Sequence, residues 1–107
     1  MTHPERRASE RFAYRPEARP LFLIGEQAYE IIDLGERGLR LHCGDPERWL
    51  LGSVLEGTVW FQRDSRMTVQ GTVVRANAGE LVLKLGGTGI PPRALLDEIR
   101  YVHAPRT

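Results

Sequence analysis

Two apolar segments flank a short polar insert in the run Ala28-Tyr29-Glu30-Ile31-Ile32-Asp33-Leu34-Gly35-Glu36-Arg37-Gly38-Leu39-Arg40-Leu41-His42-Cys43. Ala28 to Ile32 and Leu39 to Cys43 read as strands, and Asp33 to Gly38 between them reads as a tight connection. Leu39, Leu41 and Cys43 share one face while Arg40 and His42 share the other, the two-residue period of a half-buried strand. Gly35 and Gly38 permit positive φ or a close backbone approach. Asp33 places an acceptor-only carboxylate where the first strand ends, and Arg37 brings a planar five-donor fork to the same turn. Taken alone, the insert is equally the pattern of a capped turn with surface charges.

The same period recurs on both sides. Leu21 to Ile24 pairs with Ala28 to Ile32 across Gly25-Glu26-Gln27. Gly44 to Arg48 is a loop, after which Trp49, Leu50 and Leu51 are expected to return to the core until Gly52 breaks the run. Val54 to Phe61 sets Leu55, Val59 and Phe61 on one side, with Gly57 among them. Met67 to Ala76 alternates Val69 and Val73 against Thr68, Gln70 and Thr72. Asn77-Ala78-Gly79 is a hairpin turn, and Leu81, Leu83 and Leu85 line the next inner face. Six short strands with polar, glycine-bearing turns predict an all-β fold with a terminal helix. The expected architecture is a small six-stranded antiparallel β-barrel, because closure hides strand edges and leaves one inner face to fill.

The flanks differ. Residues 1–20 have few large apolar groups beyond Phe12 and Tyr14, and Pro4, Pro16 and Pro20 break any long helix. They read as an arginine-bearing N-terminal arm pinned to the domain by Phe12 and Tyr14. Residues 21–86 form the barrel, and residues 87–107 a linker and C-terminal α-helix, all in one domain. Gly86 to Pro92 reads as a flexible link. From Arg93 to His103 the period is helical, with Leu95, Ile99 and Val102 on one face and Leu96 beside them. So short a helix needs the barrel or a partner to pack against.

A chain of 107 residues, 41% hydrophobic and 27% charged, suits one small globular domain. No apolar run is long enough to span a membrane, and the first residues lack the apolar segment of a signal peptide, so a cytoplasmic location is expected. Cys43, the one cysteine, is expected to be a buried, inert thiol. A net charge of +1 does not mark a general polyanion binder, yet 14 of the 15 basic residues are arginine. Genome composition accounts for such a bias, and so does a need for bidentate hydrogen bonds and stacking. Five arginines against three glutamates in the first 19 residues make position more telling than count.

Catalytic chemistry is missing from the pattern. His3, His42 and His103 are scattered and Cys43 has no partner, so no metal site is expected. No serine sits in a nucleophile elbow, and Gly86-Gly87-Thr88-Gly89 lacks the following lysine of a phosphate loop. Neither a catalytic residue nor a cofactor is expected.

What remains is Arg6-Arg7-Ala8-Ser9-Glu10-Arg11 in the arm and Asp33 to Gly38 on the barrel. Together they resemble the signature of PilZ domains, small bacterial barrels that bind the second messenger cyclic di-GMP. The family's first motif, two arginines separated by three residues and often preceded by another, is matched by Arg7 and Arg11 after Arg6. Its second, Asp or Asn, any residue, Ser, two residues, Gly, is matched by Asp33 to Gly38 except that Gly35 replaces the serine. The resemblance implies ligand binding by Arg6, Arg7, Arg11, Asp33, Gly35, Arg37 and Gly38; Arg40 and Arg75, read from the pattern as outward-facing, are expected to extend the site. Losing one neutral hydrogen bond at Gly35 corresponds to about tenfold or less in affinity.

The ligand suits these residues physically. Guanine O6 and N7 match the arginine fork, phosphates take it with charge assistance, and guanidinium planes stack on purines. Asp33 can accept from the guanine N1–H and N2–H₂ edge. The expected mechanism is capture between arm and barrel, with arm ordering passing the signal to a protein effector. The expected oligomeric state is monomer or weak homodimer. One rival is a PilZ-like adaptor that does not bind the nucleotide, which Gly35 favours and the arginines oppose. Another, a single-stranded nucleic-acid binder, would need exposed aromatics among basic residues; of the candidates Trp49, Trp60 and Phe61, Trp49 and Phe61 read as core and Trp60 lies on the face opposite Phe61. No nucleic-acid partner is expected.

Overall fold

The computed structural model describes residues 11–87 and 89–103. Among the described residues there are seven strands: β1 (Arg11–Ala13), β2 (Leu21–Ile24), β3 (Gln27–Gly35), β4 (Gly38–His42), β5 (Val54–Trp60), β6 (Arg66–Asn77) and β7 (Glu80–Leu85). One α-helix, α1 (Pro92–Val102), follows, and short 3₁₀ turns occupy Pro16–Ala18 and Pro46–Arg48. All pairings are antiparallel, and β2 to β7 close into a six-stranded barrel because β3 joins β2 on one edge and β4 on the other. The expected barrel and terminal helix are present.

β1 is an addition. β2 covers only the first half of β3, from Gln27 to Glu30, and β1 pairs with Asp33 to Gly35 along that same edge. The 3₁₀ turn between them lets one stretch of chain cover the whole edge, so part of the arm is an outer strand of the sheet.

The barrel is filled by Phe22, Ile31, Leu34, Leu39, Leu41, Val59, Phe61, Val73, Leu81 and Leu83, each 2% exposed or less. Burying side chains of this size is worth about 1.5–3 kcal/mol each, which makes this interior the main source of stability. Gly57 is needed there, since a Cβ at that position would run into the Phe22 ring. At the β6–β7 turn Ala78 and Gly79 both have positive φ, +56° and +74°, the backbone that a two-residue hairpin requires.

Three expectations are corrected. Asp33 does not end its strand; β3 runs on to Gly35, and the turn is only Glu36–Arg37. Leu50 and Leu51 do not reach the core but are 76% and 68% exposed. They sit at a turn whose Leu50 carbonyl accepts from the Ser53 amide and hydroxyl, while Gly52 and Ser53 bond to Val73 on β6. Leu96 is 48% exposed, and Glu98 takes its place on the buried face of α1 at 1% exposure. There the Glu98 carboxylate accepts from the Tyr14 hydroxyl at 2.7 Å and from Arg63 Nε at 3.0 Å. The helix is thus docked by a buried charge with partners on both oxygens, beside Ala94, Leu95 and Val102 packed on the core.

Candidate functional site

Two β-bulges build the outer wall. Ile31 pairs with Leu41 and Asp33 with Arg40, so Ile32 is an extra residue in β3. Val73 pairs with Leu83 and Arg75 with Val82, so Val74 is an extra residue in β6. Each insertion shifts the alternation by one. Ile31 and Leu34 can therefore both face inward while Asp33 faces outward, and Val73 can face inward with Val74 and Arg75 outside. The register aligns Ala13, Asp33, Arg40, Val82 and Arg75 in one row across β1, β3, β4, β7 and β6.

Above that row is an open cavity of about 560 Å³ lined by Arg11, Asp33, Arg40, Val74, Arg75 and Val82. Asp33 is 8% exposed on its floor. Its Oδ2 accepts from Arg40 Nε at 3.0 Å and lies 2.7 Å from Arg40 Nη2. Its Oδ1 is buried without a hydrogen-bond partner among the described residues, with Arg11 Nη1 3.6 Å away. At the rim Glu80 Oε1 accepts from Arg75 Nη2 at 2.7 Å and Arg40 Nη1 at 3.3 Å. Partial burial lowers the Arg40 pKa, but the carboxylates of Asp33 and then Glu80 outweigh it and hold the guanidinium above its ordinary value. Three guanidiniums against two carboxylates leave the group one positive charge in excess.

The residues singled out in the sequence fall into three groups. Arg11, Asp33, Arg40 and Arg75 meet at the cavity. Gly35 is buried opposite Arg11 in the register, Gly38 begins β4 opposite Lys84, and Arg37 turns away to donate to the Gly87 carbonyl at 3.1 Å. Arg6 and Arg7 lie outside the described residues. Val74, Val82 and Glu80 were missed. The three-residue spacings of Ile31 to Leu34 and Val73 to Ala76, both ends inward or partly so, were the available signal for the bulges that expose Val74.

The link after β7 is more than a tether. The Ile90 amide donates to the Glu36 carbonyl and the Leu85 amide to the Arg37 carbonyl, both at 2.9 Å. Gly89, at φ +66°, passes so close that a Cβ would collide with the Glu36 carbonyl oxygen. This clamp fixes the β3–β4 turn and, through β3 and β4, the spacing of Asp33 and Arg40. Neither Gly35 nor Gly38 has positive φ, and at Gly38 a Cβ would make a tight contact, 3.1 Å, with the Leu83 carbonyl oxygen.

No group of three or more His, Cys, Asp or Glu side chains among the described residues could hold a metal ion. The Cys43 thiol is buried and its pKa is raised, chiefly by that burial, so it is a poor nucleophile. Trp60, the aromatic that a nucleic-acid reading would need, has Arg66 over its ring at 4.2 Å and donates its indole N–H to Asp64 at 3.2 Å. No helix among the described residues is long and apolar enough to cross a membrane.

The architecture is a closed barrel with an arginine-lined outer cavity and a docked terminal helix. The chain belongs to the PilZ domain family, whose profile matches residues 5–101, nearly the whole sequence. That family consists of receptors and adaptors rather than enzymes, and its fold is one suited in general to binding cyclic di-GMP. A comparison with curated protein sequences found no match.

Proposed function

We propose that this protein binds cyclic di-GMP at the outer cavity and that the arm closing over the ligand transmits the signal to an effector protein. The observation that carries the reading is the Asp33 Oδ1, a buried carboxylate oxygen without a hydrogen-bond partner among the described residues, beside a cavity lined by three arginines. A buried acceptor without a hydrogen bond costs about 1–3 kcal/mol, which the Arg11 guanidinium 3.6 Å away offsets only in part, so the site favours a ligand that brings a donor. The guanine N1–H and N2–H₂ edge is such a donor. Arg11 and Arg75 then offer forks, and Arg40 its Nη1 edge, to phosphates and guanine O6/N7, and Val74 and Val82 give an apolar surface for a purine face. A volume of about 560 Å³ is in the range of small-molecule sites.

Arg7 and Arg6 enter the proposed site through the motif alone. Gly35 and Gly38 contribute backbone at the strand ends, and Arg37 stands at the turn beside them. The effect passes to a partner, since the family is non-catalytic. Leu96 and Tyr101, 48% and 45% exposed on the outer side of α1, support a protein contact there. The second reading, an adaptor that does not bind the nucleotide, is favoured by one observation, Gly35 in place of the family's serine. Calorimetric titration with cyclic di-GMP, beside Arg7→Ala/Arg11→Ala, separates the two. Saturable binding at micromolar or lower concentration, abolished in the double variant, supports the receptor. Absence of heat at high micromolar ligand, with an unchanged NMR spectrum, leaves the adaptor.

A further inference from the structure

We infer that Glu80 is a built-in competitor for the ligand's anionic groups and sets the affinity of the outer cavity. The inference rests on the proposed cyclic di-GMP site. Glu80 is the first residue of β7, and its backbone is held on both sides, opposite Asn77 in β6 and His42 in β4. Its carboxylate is therefore presented from a rigid base. One oxygen, Oε1, takes both Arg75 Nη2 at 2.7 Å and Arg40 Nη1 at 3.3 Å.

That contact is not what positions Arg40. Asp33 Oδ2 already engages Arg40 Nε at 3.0 Å and Nη2 at 2.7 Å, fixing the guanidinium plane from the opposite side. Glu80 occupies instead the remaining edge of Arg40 and the near donor of Arg75, groups that a phosphodiester would take as charge-assisted pairs. A phosphate entering the cavity must displace the carboxylate from these arginines or settle beside a like charge. Either weakens binding. The arrangement also holds the two guanidiniums together through their shared acceptor while the cavity is open, limiting the mutual repulsion of like charges.

The test is calorimetric titration of the full chain with cyclic di-GMP in wild type, Glu80→Gln and Glu80→Asp, with thermal melting to verify folding. Glutamine keeps the shape and removes the charge. Removing one unit charge a few ångströms from a phosphate, at a dielectric between that of water and of a protein surface, corresponds to about tenfold tighter binding, or about 1.4 kcal/mol. Glu80→Asp keeps the charge on a shorter stem and should fall between the two. Binding by Glu80→Gln with none by wild type also supports the inference. Wild-type binding that Glu80→Gln leaves equal or weaker overturns it and leaves the proposed site standing. No binding by any of the three removes the receptor reading, and this inference with it.

Discussion

Replacing Tyr14 with phenylalanine deletes one oxygen and tests how the arm, the barrel and the helix are joined. The Tyr14 hydroxyl donates to Glu98 Oε2 at 2.7 Å, Tyr14 is 5% exposed and Glu98 1%. Phenylalanine fills the same volume, so no cavity term arises, but a buried carboxylate oxygen loses its donor. A hydrogen bond to a charged group is worth about 1.5–3 kcal/mol, and an orphaned buried acceptor costs a similar amount. For a domain of this size each kcal/mol moves Tm by about 4–8 °C, so Tyr14→Phe should lower Tm by roughly 6–24 °C. Calorimetric or circular-dichroism melting measures it, and Tyr14→Phe/Glu98→Gln should lose less than the sum of the singles because the two groups share one bond. The same pair predicts a pH dependence. Burial first, then the Glu98 carboxylate, pushes the Tyr14 phenol pKa far up. A group whose folded pKa is raised stabilises below its unfolded value, about 10, and that stability is lost as pH rises further, at about 1.4 kcal/mol per pH unit. Wild type should show this alkaline loss above about pH 10, and Tyr14→Phe should show less of it. A Tm change under 2 °C in Tyr14→Phe, with an unaltered alkaline limb, would refute the buried-bond argument.

Two further changes probe the turn and the motif. Ala78 is held at φ +56°, where a non-glycine residue costs about 1–2 kcal/mol and asparagine is better tolerated, so Ala78→Asn should raise Tm by about 2–8 °C; a lower Tm would contradict the turn assignment. Gly35→Ser restores the family's hydroxyl and should tighten cyclic di-GMP binding by up to about tenfold in calorimetry; unchanged affinity would mean that this position does not touch the ligand.

Much of the barrel was readable because its inner faces are simple. Leu39, Leu41 and Cys43, and Leu81, Leu83 and Leu85, alternate without a break, and all are buried as the period requires. The turn at Ala78–Gly79 was equally plain. What the period hid were the bulges at Ile32 and Val74, because one inserted residue inverts every side chain beyond it. Asp33 and Arg75 owe their outward aim to those insertions. The helix face was misread at Leu96 for another reason. Glu98 looks like a surface residue until Tyr14, 84 positions earlier, and Arg63, 35 positions earlier, are brought against it. β1 escaped notice because only the shortness of β2 leaves an edge for it. Arg11 and Asp33 could be selected from the motif and Arg40 from alternation, whereas Arg75 faces outward only because of the bulge at Val74 and Glu80 gains meaning only from the two arginines it touches.

The most direct test of the outer cavity as the cyclic di-GMP site is a ¹H–¹⁵N NMR titration of the full chain with that ligand. The account predicts saturable shifts centred on the amides of Asp33, Arg40, Val74, Arg75 and Val82, removed by Arg11→Ala/Asp33→Asn. An unchanged spectrum at millimolar ligand, or shifts centred instead on the separate cavity beside Trp60 and Gln62, would contradict it.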